Sequence, residues 1–187
     1  MKNYIFYCLF LVVCTNLNAQ EVVSGVFVDN KLTFENKEFI LNGTGIRDKM
    51  WIELYVGSLY VPYKVKTEKE LYDIEDYFAM RIDIVSPRIT SDVLIEAIEK
   101  GFENSTKRKT EPIRDRINFL KGFFKEEIVV GNVFLLLYDP VEKVTIVYKN
   151  NLNLGSVEGE DFKEAFFGIW FCDNPASKKL KDKMLGK

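Results

Sequence analysis

The chain has 187 residues, of which 26 are basic and 28 acidic, a formal net charge of −2 and no histidine. The slightly acidic balance excludes a general nucleic-acid binder, which carries a basic face. The missing histidine excludes the Ser-His and Cys-His nucleophile systems and removes the commonest zinc and iron ligand, so any chemistry falls to Arg, Lys, Tyr, Asp or Glu.

Residues 1–19 read as a signal peptide. Lys2 supplies the positive start, Ile5 to Val13 the apolar stretch, and Leu17-Asn18-Ala19 a cleavage site before Gln20. That stretch is shorter than the roughly 20 apolar residues a membrane span needs, and no later segment is long enough. The expected protein is exported, to the periplasm or beyond. Lipidation at Cys14 is the alternative, and Val13 speaks against it because a small residue is expected there. Cleavage would remove one lysine and two of the three cysteines, leaving a charge of −3 and Cys172 alone, with no intramolecular disulfide. Cys172 reads as a small buried apolar residue rather than a nucleophile. Residues 20–187 are read as one domain, large enough to be held by its core.

In chain order, residues 22–28 alternate as a strand, Asp29-Asn30 turns, and 31–34 and 39–41 are short strands around Asn36-Lys37. Leu41 to Arg47 reads as a glycine-loosened turn, followed by the longest strand, 50–61, which stops at Pro62. Residues 67–72 form a short helix or turn. In 79–85 Arg81 and Asp83 share one strand face, which then lies in water or in a polar site. Ser86-Pro87 breaks the strand, and Thr90 or Ser91 caps a helix to Phe102. Glu111-Pro112 opens a helix carrying Ile113, Ile117, Leu120 and Phe124. Strands follow at 132–138, 144–148 and 152–157, then a very aromatic helix at 160–171 and a basic amphipathic one at 177–185. This order predicts an α+β domain, an antiparallel sheet with helices on one face.

Several short patterns carry little. Gly43-Thr44-Gly45 lacks the third glycine and the following helix of a dinucleotide turn. Asn42-Gly43-Thr44 and Asn104-Ser105-Thr106 match glycosylation sequons, which arise by chance. Lys107-Arg108-Lys109 and the acidic Asp73, Glu75 and Asp76 read as solvated loops, and no cofactor or metal is called for.

Arg47 and Tyr55 are the candidate ligand-binding pair. A guanidinium among apolar residues keeps its charge and needs an anionic or strongly polar partner. Tyr55 shares its strand face with Glu53 and Gly57, and Gly57 leaves an unfilled patch beside the phenol. An Arg fork with a Tyr hydroxyl makes a carboxylate clamp. Alternatively, Glu53 pairs with Arg47 and the site is structural.

Asn42-Gly-Thr-Gly-Ile-Arg47, Tyr55-Val-Gly-Ser-Leu-Tyr60, Ile89-Thr90-Ser91, Gly101-Phe102, Phe166-Phe167-Gly168-Ile169-Trp170, Asp173-Asn174-Pro175 and Leu180-Lys181, in this order, resemble the chalcone isomerase-like family. The resemblance implies an open-faced β-sandwich, a large antiparallel sheet packed against helices with a ligand cleft between. It also implies a division into true isomerases and non-catalytic fatty-acid-binding members, both with an arginine matched by Arg47. Tyr55 is similar to the fatty-acid-binding branch, where isomerases carry threonine. The isomerases' polar positions fall at Leu94, Gly101 and Ile169, whose side chains cannot orient a phenolate and a ketone. The expectation is an exported, non-catalytic binder of a fatty acid or similar amphipathic carboxylate. The alternatives are an isomerase or intramolecular lyase with Arg47 as electrophile and Tyr55 as acid, and an interaction domain whose cleft is filled by its own side chains.

Overall fold

The computed structural model describes residues 21–34 and 36–187. The signal-peptide reading, its cleavage site and Cys14 lie outside the described residues. Seven strands pair antiparallel in strict chain order: β3 (Lys31–Phe34), β4 (Lys37–Lys49), β5 (Ile52–Val61), β6 (Phe78–Ile84), β7 (Val133–Asp139), β8 (Val144–Lys149) and β9 (Leu152–Glu158). A small hairpin, β1 (Glu21–Val23) with β2 (Val26–Val28), precedes them. The helices are α1 (Glu68–Tyr72), α2 (Ser91–Ser105), α3 (Arg114–Gly122), α4 (Glu160–Phe171) and α5 (Lys178–Met184). No helix among the described residues is long and apolar enough to cross a membrane.

Alternation along the strands divides the apolar residues between two faces. On β5, Tyr55, Leu59 and Val61 join the core under the helices, while Val56 and Tyr60 join a smaller cluster with Val28, Phe39 and Leu137 on the other face. The β1–β2 hairpin covers part of that second face through Val23 and Val26. From Ala165 to Phe171 helix α4 is apolar all round, as suits a segment enclosed by its neighbours. Phe102 of α2 packs on Phe162 and Phe166 of α4, with ring centroids 5.4 and 5.9 Å apart. Thr90 is the cap of α2, accepting from the Val93 amide. The expected α+β architecture, an antiparallel sheet under a helical layer, is the one observed.

Several local expectations are corrected. Residues 22–28 are not one strand but a hairpin, turned at Ser24 and Gly25, whose φ values of 49° and 77° lie in the left-handed region. Leu41 to Arg47 is not a turn. It lies inside β4, which at 13 residues exceeds the 10 of β5, and the turn comes at Met50-Trp51. The glycines serve contact instead of bending. Gly45 lies opposite Gly57, and α5 rests on them. A Cβ at Gly43 would stand 2.1 Å from the Lys183 carbonyl oxygen, and one at Gly45 would stand 2.8 Å from the Lys183 Cβ. The helix expected from Glu111 begins with a 3₁₀ turn, Glu111–Ile113, and α3 ends before Phe124. Of the two settings expected for the Arg81 and Asp83 face, water or a polar site, the second is observed. Asp83 is buried and receives Arg81 Nε at 2.9 Å and Nη2 at 2.7 Å.

Candidate functional site

Two β-bulges shape the site. Asp48 pairs with Glu53 and Arg47 with Tyr55, so Leu54 is an extra residue on β5. Without it Glu53 would share the face of Tyr55. With it, Glu53 turns to the opposite side and accepts a hydrogen bond from Ser24 Oγ of the β1–β2 hairpin. The second bulge places Asn42 opposite no partner on β5. Its buried amide donates to the carbonyls of Val65 (2.9 Å) and Met184 (2.7 Å) and accepts from the Val65 amide (2.8 Å). Asn42 is thus a rivet between strand, loop and α5, and its sequon is closed.

Between the helix-facing side of the sheet and α2, α4 and the α4–α5 loop lies a cavity of 560 Å³. That is within the usual range for small-molecule sites. Leu54, Ile82, Phe134 and Leu136 form its sheet wall, and Ile98, Phe166 and Ile169 its helix wall. Arg47 and Tyr55, adjacent in register, both line it. Leu94, Gly101 and Ile169 also converge on it and form an apolar part of its wall. Gly101 is required for closeness: a Cβ there would meet Ile169 at 2.7 Å.

Arg47 donates to the carbonyl of Ala176 in the α4–α5 loop, and its guanidinium carbon stands 5.9 Å from the Tyr55 ring centre. Among the described residues no carboxylate forms an ion pair with it. The contacts it makes are to neutral groups, and its charge is left unbalanced. Three basic residues (Arg47, Lys49, Lys100) and two acidic ones (Asp48, Glu96) line the cavity, and Asp48 is engaged by Lys179 at 3.7 Å. The local balance favours an anion.

The Tyr55 hydroxyl accepts the indole N–H of Trp170 at 2.8 Å. Burial pushes its pKa above the ordinary value, opposed by the Arg47 charge and the Trp170 bond. The phenol therefore stays protonated and offers its own hydrogen as a donor.

The expected unfilled patch beside Gly57 is filled: Leu180 of α5 would lie 3.3 Å from a Cβ there. The open space lies on the other side of Tyr55, toward α2 and α4. Sequence reasoning did not single out Trp170 as a site residue. Its place one helical turn beyond Phe166, in the apolar C-terminal half of the helix, is the available signal, since a buried indole N–H needs an acceptor. Cys172 is half-buried, and burial raises its thiol pKa, which disfavours a nucleophile. Lys107 and Arg108 sit in an exposed turn, and Asp73 pairs with Lys69 at the surface.

The sequence profile of the chalcone isomerase-like family matches residues 19–186. No curated protein matches the chain. Among solved structures, an Arabidopsis thaliana fatty-acid binding protein superposes with a TM-score of 0.64 at 15% identity, over 87% of this chain and 92% of that one. At that identity the likeness establishes the fold, an antiparallel sheet curled under packed helices.

Proposed function

We propose, for a chain that belongs to the chalcone isomerase-like family, that it is a non-catalytic binding protein for a fatty acid or similar amphipathic carboxylate. The observation that carries this reading is a charge-unbalanced guanidinium beside a protonated phenol at the wall of an apolar cavity. Arg47 complements the carboxylate charge, Tyr55 adds a neutral donor, and Leu94, Ile98, Phe134 and Ile169 enclose the chain. The fatty-acid binding protein with a similar fold supports the ligand class.

The magnitudes allow it. Burying a dozen methylenes contributes about 10 kcal/mol. Association costs at least about 4 kcal/mol, and a charge-assisted hydrogen bond returns about 2 kcal/mol, which leaves micromolar affinity. An open cavity speaks against the interaction-domain reading. An isomerase acting through Arg47 and Tyr55 would have to hold its substrate against a wall without polar groups at Leu94, Gly101 and Ile169.

Export under a signal peptide in residues 1–19, with the protein in the periplasm, belongs to the same proposal. N-terminal sequencing of protein from its host tests it: a retained Met1 or a lipid on Cys14 refutes it. The ligand reading is tested by titrating wild type and Arg47→Ala with a long-chain fatty acid. Affinity in the variant is expected to fall by about 2–5 kcal/mol, because a buried carboxylate loses its partner. Equal affinities refute the clamp.

A further inference from the structure

The β4–β5 turn presents the two most exposed large apolar residues described: Met50 is 81% exposed and Trp51 100%. Their backbone makes this costly. Met50 and Trp51 have φ values of 50° and 67°, in the left-handed region that bulky side chains avoid. The β8–β9 turn repeats the geometry with φ values of 50° and 68°, and there the residues are Asn150 and Asn151, which suit it. One turn follows its backbone and the other does not. Neither Met50 nor Trp51 belongs to a core cluster that could offset the strain.

The position of the turn supplies a use. Lys49, which leads into it, lines the cavity with Asp48 and Arg47, and Val93 in the first turn of α2, 43% exposed, lines the facing side. The antiparallel order brings the chain entering β7 to the same end of the sheet, where the Gly131 amide bonds the Ile84 carbonyl and Val129 and Val130 are half exposed.

We propose that Met50 and Trp51 form a bilayer-docking tip that enters the interfacial layer of a lipid membrane at the mouth of the cavity. A tryptophan, with a flat apolar ring and one N–H donor, suits that layer. Charge does not explain the contact, since the tip sets Asp48 and Glu53 beside Lys49 and the chain is acidic overall. A second copy fits poorly. A stable interface buries on the order of 1,000 Å², while two side chains provide a few hundred. The docking stands on the turn and its exposure. Its use rests on the ligand reading: a long-chain carboxylate could pass between bilayer and cavity without crossing water.

The chain has two tryptophans, and Trp170 is 5% exposed, so Trp51 dominates the response of emission to its surroundings. Adding phosphatidylcholine vesicles to the purified protein is expected to shift its emission to the blue, with little effect of salt. The variant M50N/W51N, which takes the residues of the β8–β9 turn, is expected to unfold at higher denaturant and to partition onto the vesicles about tenfold less. Retained stability separates lost docking from misfolding. Wild-type partitioning in M50N/W51N overturns the proposal. So does a blue shift that grows with protein concentration in the absence of vesicles, which marks a second copy. Titration of M50N/W51N with fatty acid in vesicle-free solution should give wild-type affinity. A protein that docks yet takes up no fatty acid in solution removes the ligand reading and leaves the docking tip standing.

Discussion

Trp170 on α4 donates its indole N–H to the hydroxyl oxygen of Tyr55 on β5 at 2.8 Å, a bond between the two layers of the fold at the wall of the cavity. It occupies a lone pair of the phenol and leaves the phenolic hydrogen unspent, so a structural bond prepares a donor for a ligand. Tyr55→Phe is therefore expected to weaken fatty-acid binding by about 1–2 kcal/mol, one hydrogen bond to a charged group. Trp170→Phe should cost about 1 kcal/mol of affinity through loss of orientation. The raised phenol pKa adds a pH signature: affinity should hold level up to the ordinary tyrosine value of 10.0, above which an unperturbed phenol would already have ionised. Calorimetric titration of the three proteins across pH checks both points.

Glu53→Gln should leave ligand affinity unchanged. The extra residue Leu54 turns Glu53 away from Arg47 and toward Ser24. In an unbulged strand it would neutralise the guanidinium, and its removal would strengthen binding. Titration of the variant separates the two arrangements, and any gain in affinity would place Glu53 at the cavity.

Residue patterns carried the layers of this fold but not the bulges. Helical spacing in Leu94, Ile98 and Phe102 and alternation in Phe78–Ile84 sufficed for an antiparallel sheet under helices. They do not show that Leu54 is supernumerary, and so they put Glu53 on the wrong face. Gly43 and Gly45 look like turn residues because glycine has two uses that are alike in a sequence, positive φ and close approach. Only the position of α5, some 140 residues on, distinguishes them. Arg47 and Tyr55 stand only eight residues apart, so a local pattern reaches both, although Arg47 lies on β4 and not in the expected turn. Trp170 reaches them from 115 residues beyond Tyr55, which no local pattern records.

Gly43→Ala is expected to destabilise the protein by at least about 2 kcal/mol, because its Cβ would meet backbone that cannot rotate away. Displacing α5 would also stretch the bond from Asn42 to the Met184 carbonyl. Gly122→Ala serves as the control. Nothing lies within 4 Å of its Cβ, and its stability should be unchanged or slightly raised. Urea midpoints of the two variants measure the difference.

Thr145 on β8 holds the one buried side-chain oxygen or nitrogen among the described residues without a hydrogen-bond partner. The residue is wholly enclosed, opposite Tyr138 and Val157. Valine has its shape without the hydroxyl. Thr145→Val should stabilise the fold by about 1 kcal/mol and raise the melting temperature by about 2–4 °C. A lower melting temperature would reveal a partner for the hydroxyl.

Acid should loosen the contact between α2 and α3 through Glu99. This carboxylate receives Lys121 Nζ at 2.8 Å and Arg114 Nη1 at 2.5 Å, and is about 28% exposed. Lys121 chiefly holds its pKa below the ordinary 4.5; burial opposes this, and Arg114 adds a smaller lowering. In the unfolded chain Glu99 takes up its proton near 4.5, and in the folded protein only at lower pH. Its stabilisation is therefore fully present above 4.5 and is lost as pH falls through the folded value. Glu99→Gln should cost about 1 kcal/mol at neutral pH, a partly screened pair of ion pairs, and the difference from wild type should shrink as pH falls below the ordinary carboxylate value. Asp161, lowered by Arg116, keeps its own acid sensitivity in both proteins, so the variant loses only part of the slope. Urea midpoints of the two proteins between neutral pH and about pH 3 test this. A constant difference across that range would show that Glu99 acts through packing instead of charge.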